Sequence, residues 1–557
     1  MNTIQLKRKQ RKATTGAAAL GLAAALTLAS CSDFLNQESK IALTEEEVYS
    51  DIRNVAPLVD GLYTTYRNLR GGRAGLMINL GLDESQQGNF QLNSEKQQSG
   101  LDKYNGLLAP ESPQVSAIWS NRWPLVTTAA KAIDVLGKVE ETASTLTLLS
   151  EASFFRGLGM FELSMFFGEI PIIDVSRSSE LGSGRQPLTE VWTYIINDFK
   201  KAAENLPPRQ SAPKRATSGA AWAMLGKAYM CAPEETGLRD YAEAKKCFEE
   251  VMKGGYSLVS SYAILFSNDL DPNIWQQNTS ESIFELQYEN LYPDQNYWEW
   301  DCGSRACDSW FGQECYFAGY DFLLPTPFAY GTVDTGGLWE NGDLRRNVNL
   351  RYDFTYEKME VTKDADGNDV TTTKLITPDL SKTEWTGTTD ELEPHIKKWE
   401  DYRTDEKVAG GDLNMWNSAK NHPLIRLADI YLLYAECLHR TGTSGVDGDK
   451  DAYVMKVRNR AWGGSGAPPM PESGDFIKAL MDERMRELCF EGWRRIDLIR
   501  TGLFVELVSS RNRWAREEHG GAPIPDFYMR YPIPDDEIKT NEDLANGANP
   551  QNPGYAR

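Results

Sequence analysis

The segment with the most distinctive chemistry is residues 291–330, where twelve of forty side chains are aromatic, against 11% for the whole chain. They are Tyr292, Tyr297, Trp298, Trp300, Trp310, Phe311, Tyr316, Phe317, Tyr320, Phe322, Phe328 and Tyr330. The interspersed Gly and Pro argue against one long buried element. Exposed Trp and Tyr offer flat apolar faces with a polar edge. The C–H face of a sugar ring stacks on such a surface, while Asp, Asn, Gln and Arg bond its hydroxyls. Trp298, Trp300, Trp310 and Tyr316 are therefore expected to form a binding surface for an uncharged oligosaccharide, since exposed aromatic patches mark interaction sites. The plain alternative is a satellite aromatic cluster that holds a long loop together. A second polar stretch, LDESQQGNFQLN (Leu82–Asn93), offers Asp83, Gln86, Asn89 and Phe90.

Reaction chemistry is poorly represented. No nucleophile elbow, HExxH or phosphate loop occurs, and the four histidines, His395, His422, His439 and His519, form no recognisable arrangement. Among 80 acidic residues no pair is marked as an acid and base for glycoside hydrolysis. We therefore assign no catalytic residue, no cofactor and no metal. Cys302, Cys307 and Cys315 lie close together, but zinc would need a fourth ligand and no histidine is near. A disulfide between two of them suits a secreted chain. Cys247, Cys437 and Cys489 sit in helical patterns and read as small buried apolar groups. KDADGNDV (Lys363–Val370) fails the calcium-loop spacing: with Asp364 in the first position, Gly367 comes two positions early and Leu375 stands where a glutamate belongs. It reads instead as a hairpin turn around Asp366-Gly367.

The N-terminus carries an address. Lys7, Arg8, Lys9, Arg11 and Lys12 precede an apolar run, Ala17–Ala29, which is too short to span a bilayer stably. It ends Leu28-Ala29-Ser30-Cys31, resembling a lipobox, so residues 1–30 read as a lipoprotein signal and Cys31 as the acylated residue. Several acyl chains would hold the protein at a membrane almost irreversibly. Residues 31–42 then form a tether. Removal of 1–30 takes five basic residues and no acidic ones, changing the formal charge from −21 to −26. That balance argues against nucleic acid and anionic lipid surfaces as partners.

The elements that must position these residues are mainly helical. Thr44 and Glu47 read as a capping box opening a helix whose apolar positions run from Val48 to Tyr66. Further helices are expected over Val115–Leu136, Leu148–Phe167, Val191–Leu206, Ser218–Met230, Tyr241–Met252, Ile425–Arg440 and Ile477–Arg500. Trp222, Leu225, Gly226 and Tyr229 match W-x2-L-G-x2-Y, and Ala244 with Phe248 matches the A-x3-F of a tetratricopeptide repeat. Such repeats cannot bury their apolar faces alone, so neighbouring pairs must stack. From about Gly255 to Lys420 the helical signal fades and short strand-like runs such as SIFELQY (Ser282–Tyr288) appear. The divisions read as 43–254 helical, 255–422 loop-rich and aromatic, and 423–557 helical again. In Ile477–Gly502 opposite charges recur three or four residues apart, with Asp482–Arg486 and Glu491–Arg495 as expected pairs. So many charges beside so much apolar surface predict ion pairs in a partly buried helix.

That last stretch also carries a resemblance. ERMRELCFEGWRRIDLIRTG, with PLIRLADIYLLYAECLHRTG (Pro423–Gly442), VRNRAW (Val457–Trp462), YPIPDDEI (Tyr531–Ile538) and QNPGY (Gln551–Tyr555), resembles the C-terminal blocks of the RagB/SusD family, in the family's order. The resemblance implies a mainly α, SusD-like superhelix: four tetratricopeptide-like helix pairs supporting a loop-rich, partly β second part. It also implies a glycan-binding lipoprotein of the outer membrane that caps a SusC-like TonB-dependent β-barrel transporter and delivers oligosaccharide to it. In the family the loop after the first helix contributes polar ligand contacts, which here would be Asp83, Asn89 and Phe90. Three other readings stay open: the same lid capturing a peptide or other nutrient, a tetratricopeptide-like scaffold binding a protein, and a surface hydrolase.

Overall fold

A computed structural model describes residues 52–556 apart from 95–97, 176–181, 210–214, 268–274, 290, 292, 304–318, 353–355, 377–392, 402–417 and 471–473. Cys31, Thr44, Glu47, Trp310 and Tyr316 lie outside the described residues. Val55–Arg557 form one compact unit.

Helices come first. α1 (Ile52–Gly71) and the short α2 (Arg73–Leu76) lead to α3 (Pro113–Ser120) and α4 (Trp123–Leu136). The single helix expected over Val115–Leu136 is therefore two. Pro124, in the first turn of α4, has no N–H to give the preceding turn, and its ring would clash with that turn's carbonyl. α5 (Ala143–Phe167) starts at a reciprocal cap, in which the Thr142 hydroxyl accepts from Thr145 N at 3.2 Å and Thr145 Oγ1 accepts from Thr142 N at 2.6 Å. α6 (Leu188–Asn205), α7 (Ser218–Cys231) and α8 (Tyr241–Met252) follow, α8 capped by Asp240. Each of α4 to α8 packs on the next, and α8 packs in turn on α10 (Leu427–Thr441), which α11 (Lys450–Ala461) and α12 (Phe476–Leu488) also contact.

The repeat signature has the expected structural role. Phe248 of α8 lies so close to Gly226 of α7 that a Cβ on Gly226 would sit 2.5 Å from the phenyl ring. Gly226→Val is expected to cost about 1–3 kcal/mol through overpacking, read as a lower urea midpoint with an unchanged m-value.

The loop-rich part holds β1 (Ser282–Leu286), α9 (Trp298–Cys302) and the hairpin β2 (Tyr356–Lys363) and β3 (Asp369–Ile376); β4 (His422–Arg426) returns to pair antiparallel with β1. In the hairpin, Lys363 faces Asp369 across the turn and Gly367 has φ +83°, the positive value for which glycine was expected there. Cys302 is a buried free thiol, as are Cys247, Cys437 and Cys489. Among the described residues no helix is long and apolar enough to cross a membrane.

The charged C-terminal stretch departs from its expected form. α12 stops at Leu488, the chain turns through Cys489–Trp493, and α13 (Arg494–Thr501) begins afresh. Phe490 at φ +64° and Gly492 at φ +86° make the corner, and a Cβ on Gly492 would lie 2.3 Å from Arg70 Nη2. With the helix broken, Glu491 and Arg495 cannot meet as neighbours on one helical face. Glu491 instead pairs with Lys398 (2.7 Å) and Arg426 (2.9 Å). Arg495 is held by Ile78 O, Leu80 O and the Tyr104 hydroxyl at 3.1–3.3 Å. Asp482 pairs with Arg511 (2.6 Å), while Arg486 turns to Glu483 and Glu340.

These pairs belong to a buried cluster in which the carboxylates Glu281, Asp343, Glu483, Glu487 and Glu491 face the cations Arg345, Lys398, Arg426, Arg458 and Arg460. The charges balance. Its members come from the loop-rich part, β4, α11, α12 and the corner after α12, so the cluster ties the two kinds of architecture together.

Candidate functional site

Of the expected ligand-binding residues, the fold buries three, Asp83, Trp298 and, at the margin of the core, Trp300. Asp83 is fully buried, with Oδ2 at 2.6 Å from Arg494 and 3.2 Å from Arg511. Burial raises its pKa, but the two guanidiniums outweigh that and hold the carboxyl below its ordinary range. Trp298 is 2% exposed, stands edge-on to Trp399 with centroids 4.4 Å apart, packs on His422 and donates from its indole to Arg70 O at 2.6 Å. In this chain Trp298 presents no face to solvent, so a Trp298→Ala change would probe packing before binding.

Trp300, two residues further on, is placed differently. It lies at the edge of the core, 9% exposed, with its ring nearly parallel to Tyr320 at 6.3 Å and 19°. Tyr320 is half-buried, its N–H donating to Trp300 O at 2.8 Å and its carbonyl accepting from Gln91 Nε2 at 2.7 Å. Arg73 lies over the Tyr320 ring at 4.8 Å and over Phe322 at 5.0 Å. Asp301 orients that guanidinium through Nη2 at 2.6 Å and Nε at 3.2 Å; its carboxylate is 1% exposed while the Arg73 side chain is 42% exposed. Burial raises the Asp301 pKa and Arg73 opposes it. Close backbone approach closes the base of this segment: a Cβ on Gly319 would lie 2.1 Å from Gly303 C.

The Leu82–Asn93 stretch reaches the same place. Gly88 N donates to Asp321 O at 3.1 Å, which sets the short helix Asn89–Ser94 beside Tyr320, with Asn89 half-buried. Asn89, Gln91, Trp300, Tyr320 and Arg73 are thus brought together by three separate segments. Arg73, Asp301 and Gln91 carried no sequence signal: Arg73 sits in RGGRAG, and its partner is 228 residues away. Tyr320 belonged to the aromatic run but was not singled out.

An aromatic platform flanked by an oriented guanidinium and amide side chains can stack a flat apolar face and donate to hydroxyls. It holds no nucleophile–base pair, and among the described residues no three His, Cys, Asp or Glu side chains gather as metal ligands would. A tetratricopeptide-like helical scaffold carrying such a surface defines a binding protein.

Comparison with known proteins places the chain. A model described as the SusD family matches residues 265–555, and one described as starch-binding, associating with outer membrane, matches 33–230. The chain belongs to the SusD family, as the C-terminal blocks indicated. The starch-binding protein SusD of Bacteroides thetaiotaomicron is 29% identical over 448 residues, 74% of each chain. Among solved structures, a laminarin-binding SusD-like protein superposes with a TM-score of 0.67 at 22% identity, covering 91% of this chain and 100% of its own. A SusD homologue from Bacteroides thetaiotaomicron gives 0.70 at 20% identity, covering 92% and 99%. Both share the mainly helical fold.

Proposed function

We propose that this protein captures oligosaccharides at the outer membrane, anchored by lipid on Cys31 after removal of residues 1–30, and delivers them to a SusC-like TonB-dependent transporter. The reading rests on one observation above the others: the half-exposed, Asp301-oriented Arg73 lying over the half-buried Tyr320 ring, with Trp300 nearly parallel beside it. It draws support from relatives named for binding starch and laminarin, two neutral glucans. Trp300, Tyr320, Arg73 and Asn89 would contact the sugar, and Trp310, Tyr316 and Phe90, from adjoining stretches of sequence, would extend the surface. Binding is capture without catalysis, in which ring faces stack and donors satisfy hydroxyls.

Isothermal titration of residues 32–557 against plant, microbial and host polysaccharides tests this. One glycan class should saturate, and Tyr320→Ala should weaken it about tenfold, because an aromatic anchor contributes on the order of 1–2 kcal/mol. Arg73→Ala should weaken it likewise and also lower the melting temperature, because it leaves the buried Asp301 carboxylate without its guanidinium partner. Silence of the folded protein across the panel would favour capture of a peptide or other nutrient.

A further inference from the structure

The closing segment leaves a cavity of about 480 Å³ between the end of α5, α6, the α7–α8 connection and residues 526–553. It shares no lining residue with the platform around Arg73. Met165, Trp192, Phe527, Met529 and Pro553 make its walls predominantly apolar.

Two donors in those walls lack acceptors. Trp192 is 1% exposed, held edge-on to Phe161, and its indole N–H has no hydrogen-bond partner. The Arg530 guanidinium packs over Gly168, where a Cβ would approach Nη1 to 2.8 Å, and it makes no hydrogen bond or ion pair with the described residues. Beside it, Arg185 donates only to neutral oxygens: Glu169 O at 2.8 Å, Asn549 O at 2.7 Å, Phe167 O at 3.3 Å and Oδ1 of the cavity residue Asn552. Burial, with Arg530 nearby, pushes the Arg185 pKa down to about 10, although Glu169 opposes the shift. Burial likewise lowers that of Arg530, partly opposed by the nearby carboxylates of Glu235 and Glu169. Neither guanidinium has a carboxylate in contact, although the chain carries a net charge of −21 and the arginines of the central cluster, Arg345, Arg426, Arg458 and Arg460, are each paired with carboxylates.

The other lining charges largely cancel. Arg239 pairs with Glu234 at 3.0 Å, and Arg500 pairs with Glu436 and Asp497 at 2.7 Å each. Glu235 and Asp526 remain, both exposed, and they disfavour a multiply charged anion.

We propose that this cavity is a second binding site, for a single carboxylate carried on an apolar chain. Arg530 holds the anion, the Trp192 N–H donates a further hydrogen bond, and the Met and Phe walls cover the chain. Such a group has two sources, a free aliphatic acid or the C-terminal carboxylate of a protein.

The test is calorimetric titration of the purified full chain with hexanoate, hexanol, and a hydrophobic tripeptide in free-acid and amidated forms. At least one acid should saturate, at least tenfold tighter than its neutral counterpart. Arg530→Gln should weaken it at least tenfold with melting temperature and polysaccharide binding unchanged; Trp192→Phe should weaken it about threefold with polysaccharide binding unchanged and a lower melting temperature, because it truncates a core side chain. Tighter binding of the tripeptide acid than of hexanoate assigns the site to a protein terminus; the reverse assigns it to a free acid. If neither acid saturates, or if Arg530→Gln keeps the parental affinity, the proposal is overturned, and neither result bears on the platform at Arg73.

Discussion

Glu487→Gln is expected to destabilise the protein by about 3–5 kcal/mol, the range for removing one partner from a buried ion network. One Glu487 carboxylate oxygen accepts from Arg345 at 3.0 Å and the other from Arg426 and Arg460, all within the interior. Glutamine preserves the volume but removes one of the balancing negative charges, and its amide NH₂ must face a guanidinium. Burial alone would raise the Glu487 pKa, yet Arg460, Arg426 and Arg345 together hold it well below the usual carboxylate range. Its stabilising contribution is therefore present above the unfolded carboxylate pKa and lost as pH falls toward the folded one. Urea titration at pH 7 should show the lowered midpoint, and the gap between variant and parent should shrink in strong acid. A loss below about 1 kcal/mol at pH 7 would mean that the network does not govern stability.

Glu84→Gln should act in the opposite direction. Glu84 is 1% exposed, its closest backbone donor is Phe490 N at 3.4 Å, and burial pushes its pKa up to about 8; Arg494 and Lys398 only partly offset burial, and Asp83 adds to it. The fold thus prefers this side chain protonated. Its contribution is fully present below the unfolded value near 4.5 and is lost as pH rises toward 8. At roughly 1.4 kcal/mol per pH unit, the parent would give up on the order of 3–5 kcal/mol across that window. The neutral glutamine escapes this loss. Unfolding midpoints followed from pH 4.5 to 8.5 should therefore start close together and diverge in favour of Glu84→Gln; parallel profiles would show that Glu84 is hydrated or paired.

The sequence by itself determined the local and repeating features. The α7–α8 pair was legible because Gly226 and Phe248 answer each other within one repeat, and the hairpin was legible because Gly367 supplies a backbone geometry other residues resist. Both signals lie within about 25 residues of chain. The family blocks were legible for a related reason: Glu483, Glu487, Glu491 and Arg426 are the buried charges of the central cluster, so their identities stand out in the string.

Tertiary structure decided which charge meets which and how each aromatic is packed. Periodicity offered Asp482 to Arg486 and Glu491 to Arg495, but the corner at Phe490–Gly492 ends the helical register, and long-range partners with better burial replace the local ones. Composition could not separate Trp298 from Trp300, because both are tryptophans in one short helix. Their difference arises from what surrounds that helix, with Trp399 and His422 packed on one ring and Tyr320 lying parallel to the other at the surface edge. Arg73 joined the candidate site only when folding brought it to Asp301. A contact across 228 residues leaves no periodicity or spacing in the chain, because it is made by packing and not by local backbone geometry.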